Sequence, residues 1–155
     1  MAGIIDSIRR QTIDAVAATM EEAGGSIADG MRQKLIANRH VDTGRLVGSI
    51  DNLTEVTDKE INEYITIDAR NPKNGAWYAE FLEFGTGIYN SRGDGRQTPW
   101  KYQDEHGNWH TTRGMAADPF IRPSVAEYIG ELEQKLGTAI KQDVHIERYR
   151  QEFKV

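Results

Sequence analysis

The stretch "YAEFLEFGTG" at residues 78–87 places aromatic, apolar and acidic side chains directly before a glycine-rich break in the chain. We expect its apolar side chains to pack a junction between sheet and helix: Tyr78, Phe81, Leu82 and Phe84. Gly85 and Gly87 then release the chain, and Glu83 is expected to hydrogen-bond back to that turn. The stretch therefore predicts an anchor at the root of a long loop, residues 86–113.

Two runs rich in β-branched residues precede this anchor and predict a pair of antiparallel strands. They are Leu53–Thr57 and Ile61–Asp68, and the polar turn Asp58–Glu60 connects them. Side chains alternate between the two faces of a strand, so the second run has an isoleucine face and an opposite face. The isoleucine face carries Ile61, Ile65 and Ile67, and the opposite face carries Tyr64 and Thr66.

A second hairpin is predicted inside the long loop, from the sequence "WKYQDEHGNWHTT" at residues 100–112. Trp100 and Tyr102 lie on one arm, and Trp109 and Thr111 lie on the other. The turn falls near His106–Asn108. We expect aromatic cross-strand pairs to stabilise this small ribbon.

The N-terminal region, residues 4–38, has apolar residues at helical spacing in two groups. The groups are Ile13, Val16 or Ala17, and Met20, then Ile27, Met31 and Leu35. Gly24 and Gly25 separate them, either as a break after which Ser26 caps a new helix or as a kink in one long helix. The opening turn is expected to form a separate apolar arm that points to a neighbouring subunit, and it carries Ile4, Ile5 and Ile8.

The C-terminal region, residues 123–153, predicts another helix. Pro123 suits a first helical position, where its missing N–H costs nothing. Apolar residues then follow at spacings of four and three: Val125, Ile129, Leu132, Leu136 and Ile140, with Tyr149 and Phe153 as an extension. The order of helix, strands and helix predicts one α+β domain over residues 1–155, built on an antiparallel sheet between two helices.

The amino-acid composition and the net charge exclude several classes of function. The chain has 155 residues, a formal charge of −5 and no cysteine. Cysteine is needed for disulfide scaffolds and thiolate metal sites, so both are excluded. The negative charge predicts no specific binding to nucleic acid and no affinity for anionic membranes. We expect a soluble intracellular product without a signal peptide or a membrane span.

The candidates for chemistry are weak. Asp104, His106 and His110 suggest a two-His, one-carboxylate metal site, whereas the alternative is a turn built by Asp and Asn with His on an exposed ribbon. The glycine-rich stretch at 85–95 leads to a hairpin and not to a helix, so it does not suit a phosphate-binding loop. Glu80 and Glu83 are expected to flank an apolar face or to pair with basic residues. No nucleophile motif is present, so we predict neither an enzyme nor a cofactor.

Three motifs in order carry a resemblance: "VDTGRLVGSI" at 41–50, "YAEFLEFGTG" at 78–87 and "DPFIRPSV" at 118–125. Together they resemble the neck and tail-completion family of long-tailed bacteriophages, whose members are often called tail-component or head–tail joining proteins. The match spans almost the whole chain. It implies a structural virion protein that forms a ring between head and tail and has no catalytic activity.

The resemblance marks twelve motif positions as structural: Thr43, Gly44, Leu46, Tyr78, Ala79, Glu83, Phe84, Gly85, Thr86, Pro119, Phe120 and Pro123. In the first motif, Asp42 or Thr43 is expected to cap backbone N–H groups while Gly44 permits a tight turn. Leu46 and Ile50 then return to the core.

In the third motif, Pro119 and Pro123 are expected to stiffen the return of the chain, and Phe120 is expected to fill the core. The loop 86–113 is the expected partner-binding part, through Tyr89, Trp100, Tyr102 and Trp109. The glycines of residues 85–95 favour a flexible loop.

The resemblance implies two kinds of partner. Copies of the chain form a ring, six-fold in many such necks, and the ring meets head-completion, connector, tail-terminator or tail-tube proteins. The expected location is the virion neck, and the host cytoplasm during assembly. Two other functions stay open: a tail terminator in the same particle, and a small metal-dependent hydrolase that uses Asp104, His106 and His110.

Overall fold

A computed structural model describes residues 2–70, 75, 77–104 and 106–143. It confirms an α+β fold with a long N-terminal helix, a C-terminal helix and two antiparallel sheets of two strands each. The elements are helix α1 (Ala2–Ala37), helix α2 (Arg45–Gly48), strands β1 (Ile50–Val56) and β2 (Ile61–Ile67), helix α3 (Tyr78–Phe84), a 3₁₀ turn (Gly87–Tyr89), strands β3 (Trp100–Gln103) and β4 (Trp109–Thr112), and helix α4 (Ile121–Asp143).

These elements divide into two compact units. The first unit comprises the described parts of Met1–Arg32, Ile50–Thr66 and Ser124–Val155. The second unit comprises those of Gln33–Ser49 and Ile67–Pro123. Within the described residues no helix is long and apolar enough to span a lipid bilayer. A single domain over 1–155 stays a prediction.

Helix α1 runs without interruption through Gly24 and Gly25, which agrees with the alternative of one long helix and not with a break capped by Ser26. Ile4, Ile5 and Ile8 belong to the same helix, so they do not form a separate arm. Gly24 leaves room for a neighbouring side chain: a Cβ there would lie 1.8 Å from Oε1 of Glu63 on strand β2, so Glu63 would have to move. That contact gives a reason for glycine in α1 despite its low helix propensity.

The β1–β2 hairpin packs on α1 within the first unit. The Glu63 carboxylate accepts hydrogen bonds from Asn52 Nδ2 at 3.0 Å and from Thr54 Oγ1 at 2.5 Å, while Asn52 Nδ2 also reaches the Glu21 carbonyl at 3.5 Å. Strand β1 begins at Ile50, three residues before the predicted start. The predicted isoleucine face of β2 is confirmed, since its isoleucines are half-buried and Tyr64 and Thr66 are exposed.

Helix α4 approaches α1 at a second glycine of the first unit. A Cβ on Gly30 would lie 3.0 Å from a ring carbon of Tyr128 and 3.5 Å from the Ser124 hydroxyl. An ion pair between Lys135 and Glu22 at 3.4 Å joins the same two helices. Small residues at the contact thus let the two helix backbones come close together.

Two predictions for α4 need correction. The helix begins at Ile121, so Pro123 is its third residue and not its first. The apolar stripe does not reach the core: Val125, Leu132 and Leu136 are half-buried, and Ile129 and Ile140 are exposed. The predicted extension through Tyr149 and Phe153 lies outside the described residues.

Each unit has its own buried apolar residues. Those of the first unit are small except for two: Ala15, Ala23, Ala28, Met31 and Ile50. Those of the second unit are Leu35, Leu46, Ala69, Ala79, Leu82 and Phe120. The predicted core positions Leu46, Ile50 and Phe120 are therefore confirmed.

Candidate functional site

Glu83 is the buried centre at which the second and third sequence motifs meet. It projects from α3 with 1% of its surface exposed. Its Oε2 accepts hydrogen bonds from the backbone N–H groups of Phe120 and Ile121, both at 2.9 Å. Its Oε1 accepts one from the Arg122 N–H at 3.1 Å and another from Arg122 Nε at 2.7 Å. A carboxylate from α3 therefore caps the beginning of α4.

Glu83 and Pro123 together account for every unpaired N–H position at the N-terminus of α4. The first four N–H positions of a helix have no partner inside the helix, and here they belong to residues 120–123. Glu83 accepts from three of them, and the fourth is Pro123, which has no N–H to donate. Pro123 thus serves the helix end as predicted, although two positions later than expected.

The charge of Glu83 is held by the same contacts. Burial, the largest single influence, raises the pKa of Glu83 above its usual 4.5. The hydrogen bonds from the Arg122 guanidinium and from three backbone N–H groups lower it, and together they leave the pKa below that value. The group is therefore an ionised structural cap at neutral pH. The predicted hydrogen bond from Glu83 to the glycine turn is therefore wrong, since its carboxylate accepts from residues 120–122 instead.

The glycine turn, residues 85–87 after α3, is held by backbone hydrogen bonds. Thr86 N–H donates to the Met115 carbonyl at 2.8 Å and Ile88 N–H to the Arg113 carbonyl at 3.0 Å. A Cβ on Gly87 would lie 1.9 Å from that Arg113 carbonyl oxygen, and the φ of Gly87 is 60°. The glycines of this turn therefore serve close backbone approach. The first residues of the predicted loop are thus hydrogen-bonded, and the flexibility of the loop stays a prediction.

The first motif forms the short helix α2. Gly44 precedes it with φ 74°, which confirms the need for glycine at this turn. No side chain caps α2, so the predicted role of Asp42 or Thr43 was wrong. Thr43 is exposed, and it stays a motif position without a described role.

A contact that sequence reasoning missed lies beside the third motif. Asp118 accepts a hydrogen bond from Asn38 Nδ2 at 2.8 Å, and its second oxygen lies 2.7 Å from His40 Nε2. Asn38 and His40 directly follow α1, so this carboxylate ties the residues before the first motif to the third motif. The partners are about 80 positions apart, and no local pattern connects them.

Helix α3 buries one side only. Ala79 and Leu82 are buried, but Tyr78 and Phe81 are each 39% exposed, so these two do not pack the junction as predicted. Pro119, which precedes the capped end of α4, is half-buried.

Phe84 lies between two guanidinium groups. Its ring centre is 3.5 Å from the Arg92 Cζ and 5.0 Å from the Arg122 Cζ. Arg92 also pairs with Glu80 at 2.7 Å, which confirms the pairing expected for that carboxylate.

The β3–β4 hairpin confirms the second predicted ribbon. Trp100 pairs with Thr112, Lys101 with Thr111, Tyr102 with His110, and Gln103 with Trp109. This register puts Trp109 on the face opposite Tyr102, so the expected aromatic pairs across the strands do not form. The Tyr102 ring stacks instead on His110, with ring centres 5.3 Å apart.

Three of the four predicted partner-binding aromatics are exposed. Trp109 is 68% exposed, and Tyr89 and Tyr102 are about half exposed. Trp100 is half-buried, with the Arg96 Cζ at 5.6 Å from its ring centre. The hairpin thus offers aromatic area to a partner, mostly on its Trp109 side.

Asp104 and the histidines near it form and flank the turn of the β3–β4 hairpin. Asp104 accepts the backbone N–H groups of His106 and Asn108, and its Oδ2 lies 2.8 Å from His110 Nε2. The His110 contact, followed by the Asn108 backbone, holds the pKa of Asp104 well below its usual value. These contacts agree with the turn-building alternative for Asp104. Within the described residues, no three His, Asp or Glu side chains come together as a metal site would require.

The first unit has an open cleft of about 500 Å³ between α1 and the end of β1. It is lined by Asp6, Arg9, Arg10, Ile13, Val56, Thr57 and Asp58. Two arginines and two aspartates give it no net charge, and Arg9 already donates to the Asp58 carbonyl at 3.3 Å. This arrangement selects no particular ligand.

The strongest features of the molecule are therefore a buried structural cap and exposed apolar surfaces, which suit assembly with other chains. No family model, curated protein or solved structure matches the sequence or the fold.

Proposed function

We propose that this chain is a structural subunit of the neck of a long-tailed bacteriophage, acting in tail completion and head–tail joining as a member of a ring. The observation that carries the proposal is the meeting of two resemblance motifs at Glu83. The second motif supplies the buried carboxylate, and the third supplies Phe120, Ile121 and Arg122, whose N–H groups it accepts. Motif residues about 40 positions apart thus form one structural unit.

The surface of the second unit supports a joining role. Tyr89 and Trp109 expose large aromatic area on a segment that is anchored by the glycine turn. Aromatic side chains of this kind contribute strongly to protein interfaces when a partner buries them. The proposed partners are other copies of the chain and neighbouring head-completion, connector, tail-terminator or tail-tube proteins, in the virion and in the host cytoplasm during assembly.

The exposed stripe of α4 supports the ring. Ile129 and Ile140 are exposed on a helix whose other apolar stripe residues are only half-buried. Apolar side chains grouped along one exposed side of a helix are typical of a surface that another subunit covers.

Deleting the gene from the phage that encodes it tests the function. We expect filled heads and separate tails of normal length, with joining restored by the wild-type chain supplied from a plasmid. Antibody labelling of wild-type particles should mark the neck. Overlong tails would indicate a tail terminator instead, and normal particles without the chain would refute the proposal.

A smaller change tests the joining surface. Trp100 and Thr112 are cross-strand neighbours, so residues 101–111 can be replaced by a short Gly/Ser turn without stretching the chain. The contacts of the glycine turn with Arg113 and Met115 stay in place. We expect this variant to keep its folded state by circular dichroism yet fail to restore joining. A matched control that changes only Ser91 and Asp94 of the neighbouring exposed loop to glycine, and keeps Arg92 with its contacts to Phe84 and Glu80, should restore it.

A further inference from the structure

The β1–β2 hairpin has an apolar outer face with an acidic rim. Thr54 and Glu63 face α1, and side chains alternate along a strand, so Leu53 and Tyr64 belong to the other face. They are 56% and 45% exposed. Asp51 and Glu55 share the Leu53 side of β1 and are exposed. We name these four residues the Leu53 face.

Charge around the Leu53 face has one dominant sign. Of the strand residues on this side, Asp51 and Glu55 are acidic and none is basic. A partner for this face must therefore bring apolar area together with positive charge, because a second acidic surface would be repelled.

The outer side of the β3–β4 hairpin has those two properties. The register places Lys101, Gln103, Trp109 and Thr111 on one face, and all four are exposed. Lys101 is the one charged residue among the four, and Trp109 is the largest apolar side chain. We name these residues the Trp109 face.

We propose that the Trp109 face of one copy packs on the Leu53 face of a second copy. Trp109 covers Leu53 and Tyr64, and Lys101 lies against Asp51. Each face is a two-stranded ribbon of similar width, which suits face-to-face packing of sheets about 10 Å apart.

The two faces are different surfaces of the same chain, so the contact is heterologous. Contacts of this kind leave one face open at each end and propagate until a ring closes. This inference rests on the proposed function, which places the ring in the neck of the particle. It adds the two surfaces through which the subunits join. Each contact is small, so two isolated subunits are expected to bind each other weakly. A closed ring is more stable because every subunit in it makes two such contacts.

The absence of cysteine from the chain permits a direct test. Two single-cysteine variants carry Thr66→Cys, on the Tyr64 side of β2, or Thr111→Cys, on the Trp109 face. Neither substitution removes an apolar anchor or a charge. Mixed under mild oxidation, the two variants should form a disulfide-linked heterodimer much faster than either variant links to itself. The control is Thr112→Cys, because Thr112 lies on the opposite side of the same strand.

Charge reversal tests the specific pairing. Lys101→Glu in the Thr111→Cys chain should slow cross-linking by about tenfold, since it sets like charges against each other. Asp51→Lys in the Thr66→Cys chain should restore the rate. The proposal is overturned if Thr112→Cys links as fast as Thr111→Cys, if no heterodimer forms, or if the second reversal gives no rescue.

The cross-linking uses purified protein only, so it is independent of the particle experiments. Heterodimers without neck labelling would refute the neck function and leave the contact standing. Neck labelling without heterodimers would refute the contact alone.

Discussion

Oε1 of Glu63 stands 1.8 Å from the position that a Cβ on Gly24 would take, whereas a Cβ on the adjacent Gly25 would meet nothing within 4 Å. Two neighbouring glycines in one helix therefore have different reasons to be there. Gly24 allows the Glu63 carboxylate to lie against α1 while it accepts hydrogen bonds from β1. Gly25 has no contact that requires it.

Opposite effects are expected from alanine at these two positions. Gly25→Ala should raise the free energy of unfolding by about 1 kcal/mol, the helix-propensity difference between the residues. Gly24→Ala should lower it by about 1 kcal/mol, because the propensity gain is outweighed by the displaced bonds of Glu63 to Asn52 and Thr54. Urea unfolding measures both. Equal stabilisation by the two variants would show that Glu63 moves aside freely.

Removing the cap of α4 should be the most costly carboxylate change on α3. Glu83→Ala leaves the N–H groups of residues 120–122 without their acceptor and the Arg122 guanidinium without its partner, so a loss of about 3–5 kcal/mol is expected. The matched control is Glu80→Ala on the same helix. Glu80 forms an exposed pair with Arg92, and its loss should cost less than about 1 kcal/mol. Similar costs in urea unfolding would argue against the cap.

The cap also predicts a dependence of stability on pH. The pKa of Glu83 is lower in the folded chain than its ordinary 4.5, so the folded state favours the ionised form. That stabilisation is fully present above the pKa of the unfolded state and is lost as pH falls through the folded pKa. Glu83→Gln has no group to titrate there. Below pH 4.5 its deficit relative to wild type should therefore shrink, and a constant deficit at every pH would contradict the prediction.

The glycine turn offers a test of close backbone approach. Gly87→Ala should lower the free energy of unfolding by about 3 kcal/mol or more, because its Cβ would meet the Arg113 carbonyl in addition to the strain of positive φ. Gly93 has φ 78° but open space around it, so Gly93→Ala should cost only the backbone strain, about 1–2 kcal/mol. Thermal unfolding of both variants separates the two effects. Equal losses would mean that Arg113 yields without cost.

Local patterns predicted the two long helices, the two hairpins and the α+β class because each depends on residues that are near one another in sequence. Period-2 alternation in β2 and the turn residues of 104–108 are examples. Local patterns left both a break and a kink open at Gly24 for the same reason. Propensity is a local property, whereas the need for glycine there comes from Glu63, about 40 positions later.

The sequence predicted which residues belong to the candidate site but not which of them contact one another. The sequence identified Glu83 as important and the aromatics of the hairpin as exposed. It could not show that Glu83 accepts from residues 37–39 positions away, because a carboxylate has many possible donors and only the fold selects among them. It also could not fix the side of Trp109, since a change of one residue in strand register moves a side chain to the other face.

The pairing of Trp100 with Thr112 has an evolutionary consequence. The chain enters and leaves this ribbon of the second unit at adjacent positions, so the ribbon can grow, shrink or be exchanged without changing the distance its ends must span. Such an insertion can acquire a new binding preference while the glycine turn at Gly87 stays under strict steric constraint. We therefore expect descendants of this gene to diversify fastest between residues 101 and 111.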